Sequence, residues 1–255
     1  MQQDKKTAQQ EGFPVKRAVF VLIALWYLLA GVTSKPFLPY PHAVLIHFAH
    51  QVLNGDILLH FLTSTYRITL ATVSAVIPAV SLGILAGRIH QADRFISPFA
   101  YVLYPIPKVA LLPLIMLVFG LGNLSKIFLI ALIIFFQLFF VIRDASRAID
   151  TRYIDSVKSL GASRTGILVH VIIPAVLPSF FTALRVSTGT ATAVLFLAET
   201  FATVNGLGYL ILDSWARMNY LDMYAAMTGL TLLAALLFAL IALFDRMLCP
   251  QRHQK

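Results

Sequence analysis

Four of the charged side chains within or at the ends of long apolar stretches are candidates for a functional or structural role: Arg67, Lys108, Arg185 and Glu199. At the centre of a lipid bilayer a charge costs at least roughly 2.5–3.5 kcal/mol, so such residues pair with protein groups or face a water-filled pathway. Lys108 lies about twelve residues into its stretch, or about 18 Å along a helix. We expect it either to attract an anionic solute or to pair with the carbonyl groups of a helix end. Arg67, Arg185 and Glu199 are predicted to be structural charges.

Three prolines surround Lys108 and predict a broken helix. Pro105, Pro107 and Pro113 each remove a backbone N–H donor and disturb the preceding turn. Broken helices in mid-membrane expose carbonyl groups that hold small polar solutes, although a simple kink satisfied by neighbouring helices is the alternative. A later run of small and hydroxyl-bearing residues, 187–193, favours close helix packing, with pore lining as the second interpretation. The predicted translocation path comprises Pro105, Pro107, Lys108, Pro113, Thr188 and Thr192.

A polar segment between two apolar stretches has the pattern of a short amphipathic helix. Tyr153, Ile154, Val157 and Leu160 share one face at helical spacing, and Gly161 is suited to end the helix. Such a helix can lie in a groove of another protein or rest on lipid headgroups, and periodicity does not distinguish the two. The sequence contains no Gly-x-x-x-x-Gly-Lys-Ser/Thr phosphate-binding motif, so any ATP hydrolysis must occur in another subunit.

The composition places these segments in a membrane protein. Of the 255 residues, 59% are hydrophobic and 12% are charged, and the mean hydropathy is +0.82. A soluble fold of this composition would expose large apolar patches, which excludes a soluble enzyme. The single cysteine, Cys249, excludes an internal disulfide. Six stretches are predicted to span a bilayer: Ala18 to Val32, Leu62 to Ala86, Ile96 to Phe119, Leu124 to Ile142, Ile167 to Leu197 and Ala225 to Leu248.

The distribution of positive charge indicates the orientation of the spans, because cytoplasmic loops are enriched in Lys and Arg. With the N-terminus inside, 14 of the 20 Lys and Arg residues lie in inner segments and three in outer segments. Both termini are therefore predicted to be cytoplasmic, and the net charge of +9 reflects topology and not nucleic-acid binding. In this orientation Arg67 is near the outer end of its span and can snorkel to water, Arg185 lies in the inner third, and Glu199 reaches the outer surface.

The predicted organisation is a single membrane domain with short tails. Its parts are a polar cytoplasmic tail (1–14), an anchor helix (15–33), an extracytoplasmic loop (34–60), a core of five transmembrane helices (61–248) with a cytoplasmic loop at 143–166, and a cytoplasmic tail (249–255). The anchor is expected to be retained, with a cleaved signal peptide as the alternative. Span six is predicted to be an almost uniformly apolar, lipid-facing scaffold.

The extracytoplasmic loop carries four histidines, His42, His47, His50 and His60. A metal site is one interpretation, but no carboxylate or thiolate completes a ligand set. We expect instead an interfacial helix with Phe48 and Leu53 on its lipid side.

The segment from Asp155 to Pro174 resembles the signature loop of permease subunits of binding-protein-dependent ABC importers. Their pattern is Glu-Ala-Ala, three residues, Gly, nine residues, Ile-x-Leu-Pro. Gly161 and Pro174 match at the required spacing, while Val171 and Ile173 are conservative replacements. The opening differs, since Asp-Ser-Val stands where the pattern has Glu-Ala-Ala.

Three further segments, 107–114, 119–122 and 199–211, are similar to the nitrate/sulfonate/taurine branch of these permeases, and the resemblance covers about residues 60–248. It implies an all-α type I importer permease fold with six transmembrane helices. It also implies a second copy of the permease in a homodimer, a cytoplasmic ATPase dimer that binds ATP and Mg, and an extracytoplasmic solute-binding protein. The implied ATPase-coupling helix and its flank comprise Tyr153, Ile154, Asp155, Ser156, Val157, Lys158, Ser159, Leu160, Gly161, Ala162 and Pro174.

The resemblance implies a transport subunit of a bacterial inner membrane, in contact with lipid and without bound cofactor, metal or catalytic residues of its own. The solute is expected to be a small anion such as a sulfonate, taurine or nitrate, with a small heterocycle or vitamin precursor as the alternative. Two other classes of protein are the alternatives. A passive channel would need no ATPase partner, and an intramembrane enzyme would need a buried nucleophile with a base or a metal set.

Overall fold

The computed structural model describes residues 15–33 and 35–250 and is built from helices joined by short turns. The helices are α1 Val15–Thr33, α2 Pro41–Asn54, α3 Leu58–Arg88, α4 His90–Leu103, α5 Leu112–Phe119, α6 Asn123–Arg147, α7 Thr151–Ser159, α8 Arg164–Ile167, α9 Ile173–Glu199, α10 Leu207–Ala216 and α11 Tyr220–Leu248. A 3-10 turn, Lys108–Leu111, precedes α5, and a π-helical turn, Leu168–Ile172, joins α8 to α9. The predicted tail at 1–14 and residues 251–255 of the other tail lie outside the described residues.

Within the part of the chain that the structure describes, four helices are long and apolar enough to cross a membrane. They are α3, α6, the continuous stretch Arg164–Glu199 that contains α8 and α9, and α11. They correspond to predicted spans two, four, five and six. A fifth crossing is formed if α4 and the segment Lys108–Phe119, which meet at an angle of 82°, count as one broken span. The apolar part of α1 is shorter, so six crossings stay a prediction.

The core forms where α3, α6 and α9 pack together. On α3, small residues recur every four positions at Ala71, Ala75, Ala79 and Gly83, so this face is flat and lets another helix approach closely. A methyl group added at Gly83 would lie 2.9 Å from a methyl carbon of Ile142 on α6. Because so many of its apolar side chains are buried, α6 is the central helix of the bundle.

The termini of the long helices gather at the two ends of the bundle. The first, called here the α10 end, contains the beginnings of α3, α6 and α11 and the end of α9, and Ser64 contacts Glu199 there. The second, called the α7 end, contains the ends of α3, α6 and α11 and the beginning of α9. At that end the Arg88 guanidinium donates to the carbonyl oxygens of Ser146 and Ile149 at 3.2 and 3.3 Å.

The helix α1 lies at the edge of the bundle, and among its described side chains only Ala30 is fully buried. It is attached mainly to the segment that leads into α2, since Trp26 donates its ring N–H to the Pro39 carbonyl at 3.1 Å. The predicted helix in the outer loop is present as α2. Leu53 is exposed as expected, but the expectation for Phe48 was wrong, because its ring packs against the core.

Candidate functional site

The predicted amphipathic helix is present as α7 at the α7 end of the bundle. Asp150 caps its first turn by accepting a hydrogen bond from the Arg152 amide at 2.9 Å. Gly161 follows the helix with φ +85°, a left-handed conformation that favours glycine. The helix therefore ends at Ser159, just before the glycine that the sequence predicted as its stop.

The predicted apolar face of α7 divides into two parts. Ile154 and Val157 are half-buried and pack against the core of the bundle. Tyr153 and Leu160 point away from it, and Leu160 is 87% exposed. Two large apolar side chains thus remain uncovered, although the inner face of the helix packs against the bundle. Both a groove in a partner protein and lipid headgroups could cover these two side chains.

The rest of the motif connects α7 to the core of the fold. After Gly161, the Ser163 side chain caps α8 by accepting from the Gly166 amide at 3.1 Å. The chain then continues through α8 and the π-helical turn without leaving helical geometry, and Pro174 follows that turn directly, at the start of α9. A short turn and a continuous run of helical backbone therefore connect α7 to α9.

The helix break predicted at the prolines is present. Helix α4 ends at Leu103, and the chain resumes as a 3-10 turn at Lys108 in a new direction. The Lys108 ammonium donates to the carbonyl oxygens of Leu103, Tyr104 and Ile106 at 3.3, 2.6 and 3.3 Å. It also lies 4.7 Å from the centre of the Phe136 ring.

Of the two arrangements expected for Lys108, the structure shows the second, in which the ammonium group pairs with carbonyl groups at a helix end. The side chain is half-buried and directed back at the end of α4. Its charge stabilises carbonyl groups that the break leaves without helical partners. Pro107 and Pro113 flank the 3-10 turn and the first turn of α5, and Pro105 lies inside the break.

Two predicted path residues on α9 do not present free hydroxyl groups. Thr188 is buried and its Oγ1 donates to the Leu184 carbonyl at 2.8 Å, while Thr192 donates to the Thr188 carbonyl at 2.9 Å. Both hydroxyl groups are satisfied within their own helix. The role of the run 187–193 in helix packing or in pore lining stays a prediction.

A different polar pair lies between α6 and α9 and was missed from the sequence. The side-chain amide of Gln137 donates through Nε2 to the Thr190 hydroxyl at 3.3 Å. The carbonyl oxygen of the same amide is buried and has no hydrogen-bond partner among the described residues. A glutamine in the middle of an apolar span was the signal that could have identified it.

A buried cluster of charged and polar groups lies at the α10 end and contains Glu199, which is 0% exposed. Its carboxylate accepts from the Ser64 hydroxyl at 2.8 and 2.9 Å, from the Arg67 guanidinium at 2.8 Å and from the Gly208 amide at 2.9 Å. Gly206 has φ +120°, and a methyl group there would come within 2.6 Å of the carboxylate. The cluster joins α3, the end of α9 and the start of α10.

The structure corrects the expected surroundings of two charges. Arg67 does not snorkel to water: it is buried and also donates to the Asn123 side chain at 2.9 Å and to the Asn205 carbonyl at 2.8 Å. Glu199 does end its helix as expected, but it lies inside the protein and not at the outer surface. Opposite charges so deeply buried stabilise each other only as a hydrogen-bonded pair.

Lys126 is part of the same region and was not singled out from the sequence. It is 0% exposed, and its ammonium donates to the carbonyl oxygens of Leu121, Gly122 and Ala202 at 3.0, 3.4 and 3.5 Å. The lysine thereby ties the start of α6 to the loop that follows α9.

Arg185 pairs with Asp245 of α11 at 3.3 Å, and the aspartate is buried. Span six is therefore not a uniformly apolar scaffold, because it supplies a buried carboxylate to α9. The half-exposed arginine joins two long helices near the α7 end.

A second ion pair at the α7 end joins α4 to α6. Arg143 is buried and donates to both carboxylate oxygens of Asp93, at 2.6 and 3.2 Å, and to the Tyr101 hydroxyl at 3.0 Å. Arg147, one turn further along α6, reaches the same carboxylate at 3.3 Å but is exposed. This pair holds the first half of the broken span against the central helix.

The histidines of the outer loop contact different partners. His47 bonds Asp222 at the start of α11, whereas the Gly206 amide donates to His60 at 3.1 Å. Within residues 15–33 and 35–250, no group of three His, Cys, Asp or Glu side chains is placed to hold a metal ion.

Long apolar helices, a broken span and an exposed amphipathic helix at one end together define a helical membrane permease. The chain belongs to the family described as "Binding-protein-dependent transport system inner membrane component", whose sequence model matches residues 79–253. It is a permease subunit of a binding-protein-dependent ABC importer, as the signature loop led us to expect.

The chain is similar to named permeases over most of its length. It is 31% identical over 227 residues to the taurine transport system permease protein TauC of Escherichia coli (strain K12), covering 86% of this chain and 82% of that protein. It is 29% identical over 235 residues to a Bacillus subtilis (strain 168) protein provisionally named as the aliphatic sulfonates transport permease SsuC, covering 91% and 85%.

Among solved structures, the fold is similar to a chain of the MetNI methionine ABC transporter in inward-facing conformations. The TM-score is 0.64 at 16% sequence identity, covering 75% of this chain and 95% of that one. This likeness shows the fold alone.

Proposed function

We propose that this permease carries a small sulfonate-type solute across the inner membrane as one of two identical copies, with α7 docked on a cytoplasmic ATPase. The α7 end is then cytoplasmic and the α10 end faces the solute-binding protein. The names of the taurine and aliphatic sulfonates relatives support the solute class. The distribution of Lys and Arg supports the orientation.

The observation that carries the coupling assignment is the uncovered apolar surface of α7. Tyr153 and Leu160 are exposed, while Ile154 and Val157 hold the other side of the helix to the bundle. Large apolar side chains uncovered on a short, anchored helix are typical of a surface that fits a groove in a partner. Because α7 leads through α8 into α9, movement of the ATPase pair would reach the centre of the membrane domain.

The same coupling explains why the ATPase can drive transport without any nucleotide chemistry in this chain. The permease needs two arrangements that differ by only a few kcal/mol, so that ATP and the solute-binding protein can each favour one of them. The solute then meets a pathway that opens to one side at a time.

Replacing Leu160 by Asp tests the docking surface. Leu160 is 87% exposed, so the substitution should leave the fold intact while placing a charge in the apolar contact. We expect loss of ATPase copurification and of ATP-driven uptake, with unchanged membrane insertion. Val204→Asp, also a change of an exposed aliphatic side chain but at the α10 end, should keep the ATPase bound. Retained ATPase association and uptake in Leu160→Asp would refute the assignment.

The support for an anionic solute comes from the relatives and not from Lys108. The ammonium group of Lys108 is occupied by three carbonyl oxygens at the end of α4. The choice of an anion therefore rests on the sulfonate and taurine permeases, with the solute-binding protein as the partner that selects it.

A further inference from the structure

The amide of Gln137 is the one polar group in the middle of α6 that is only partly satisfied. Its Nε2 bonds Thr190 on α9 at 3.3 Å, and its Oε1 is buried without a partner among the described residues. An unpaired amide edge in hydrocarbon is unfavourable, and such groups persist in membrane proteins where they face protein or a water-filled cavity.

The position of Gln137 on α6 is distinctive. Residues at intervals of three and four place Ile130, Ile134, Gln137 and Val141 on one side of the helix. The two isoleucines, toward the α10 end, are buried, whereas Val141, toward the α7 end, is exposed. Gln137 is half-buried and lies at the boundary. This side of α6 is therefore open toward the α7 end and covered beyond the glutamine.

An open groove of about 380 Å³ occupies this part and is lined by Val141, Pro178, Ser179 and Thr182. It carries two hydroxyl-bearing side chains and no charged one. The same side of α9 continues from Thr182 past Val186 to Thr190, which are four residues apart and thus in line. An uncharged strip of α9 therefore leads from the α7 end to the Gln137 amide. The Thr182 hydroxyl on this strip donates to the Pro178 carbonyl at 2.9 Å, whereas the Thr190 hydroxyl accepts from Gln137.

We propose that Gln137 and Thr190 form a solute-binding site at the closed end of a vestibule that opens at the α7 end. The proposal rests on the transport function proposed above. The unpaired Gln137 oxygen accepts a hydrogen bond, so the site binds a solute that carries an N–H or O–H donor. Among sulfonates it favours an amine-bearing molecule over a simple alkyl sulfonate, because only the former supplies that donor.

Cysteine accessibility tests the vestibule without knowledge of the solute. In a Cys249→Ser background, Gln137→Cys is compared with Ile77→Cys, an exposed position midway along α3. The full complex with ATPase and binding protein is treated in inside-out vesicles with a charged, membrane-impermeant methanethiosulfonate, which reacts with thiols in water. We expect labelling of Gln137→Cys, changed by ATP, and none of Ile77→Cys. Absence of Gln137→Cys labelling both with and without ATP, in complexes that still transport, overturns the site.

Uptake into proteoliposomes tests the solute class. With one binding protein throughout, rates are measured for taurine and for ethanesulfonate. Loss of a hydrogen bond to a charged donor in Gln137→Leu should lower the taurine-to-ethanesulfonate ratio about tenfold. Thr231→Val, which also removes a polar group from a span but on α11, should leave the ratio unchanged. An unchanged ratio in Gln137→Leu refutes the class of solute, whereas absent ATP-driven uptake in the unsubstituted complex refutes the transport function itself.

Discussion

At the scale of single residues, Glu199 shows how this protein accommodates charge in its interior. Its carboxylate has hydrogen bonds from a hydroxyl, a guanidinium and a backbone amide, so each of its neighbours supplies a donor. The arrangement needs Gly206, whose left-handed backbone lies directly against the carboxylate. A buried ion pair of this kind contributes little over an apolar pair, but losing one partner leaves an uncompensated charge.

Arg67→Met should therefore destabilise the protein by about 3–5 kcal/mol, the range observed for breaking a buried pair. In a protein of this size, that corresponds to a fall in the apparent melting temperature on the order of 10 °C in mild detergent. Arg217→Met removes an arginine from an exposed pair with Asp213 and should change the melting temperature little. Equal losses in the two variants would contradict the importance of burial.

The sequence identified Arg67 and Glu199 as structural charges but could not pair them. The two residues are 132 positions apart in the chain, and only the packing of α3 on the end of α9 brings them together. Lys108, like these two residues, stood out in the sequence because it is a charged residue in an apolar stretch. Which of its two expected partners it takes depends on the direction of the chain after the break, and spacing does not give that direction.

At the scale of elements, the ion pair between α4 and α6 holds the broken span to the central helix. Arg143 and Arg147 both bond Asp93, but the first is buried and the second exposed. The two arginines thus offer a comparison in which the carboxylate partner is the same, but the buried arginine makes two hydrogen bonds to it and the exposed arginine makes one.

Arg143→Met should lower the stability by roughly 3 kcal/mol, because the half-buried Asp93 carboxylate loses its two shortest ionic contacts. Arg147→Met should cost no more than about 1 kcal/mol, since water screens an exposed pair. Thermal unfolding of the two variants in the same detergent measures the difference. A larger loss in Arg147→Met would show that the exposed arginine, and not the buried one, holds α4 in place.

The amphipathic segment was predictable as a helix because its periodicity and its terminal glycine agree. The division of its apolar face into a packed part and an exposed part was not predictable. Ile154 and Leu160 are both aliphatic, and only the packing of the helix decides that the first contacts the core and the second is exposed. The break at Pro105 and Pro107 was predictable from the missing N–H donors, whereas the 82° change of direction depends on the packing of the 3-10 turn against α6.

At the scale of the whole molecule, the orientation in the membrane is the prediction with the widest consequences. Lys158 on α7 and Val204 in the loop after α9 are both exposed and lie at opposite ends of the bundle. In a Cys249→Ser background, Val204→Cys should react with a membrane-impermeant maleimide added to spheroplasts. Lys158→Cys should react only after the membrane is permeabilised. The reverse pattern would place α7 outside and exclude its docking on a cytoplasmic ATPase.

Four of the six predicted spans were accessible from hydropathy, because within the described residues these stretches are helices of sufficient length and apolarity. The contact between Gln137 and Thr190 was not accessible, because the two side chains meet only where α6 packs on α9. The threonines chosen from composition instead donate to carbonyl groups of their own helix. Composition identifies which helices contain polar groups, but only packing determines which side of each helix they occupy.

The glycines at 83 and 87 restrict how the permease can move. A methyl group at Gly87 would lie 2.5 Å from the Arg143 carbonyl oxygen, so the backbones of α3 and α6 meet with no side chain between them. A shift of either helix by one residue along the other would bring a larger side chain into that gap. These two helices must therefore travel together as a rigid block, and the hinge of any transport cycle has to lie at their borders with the remaining helices.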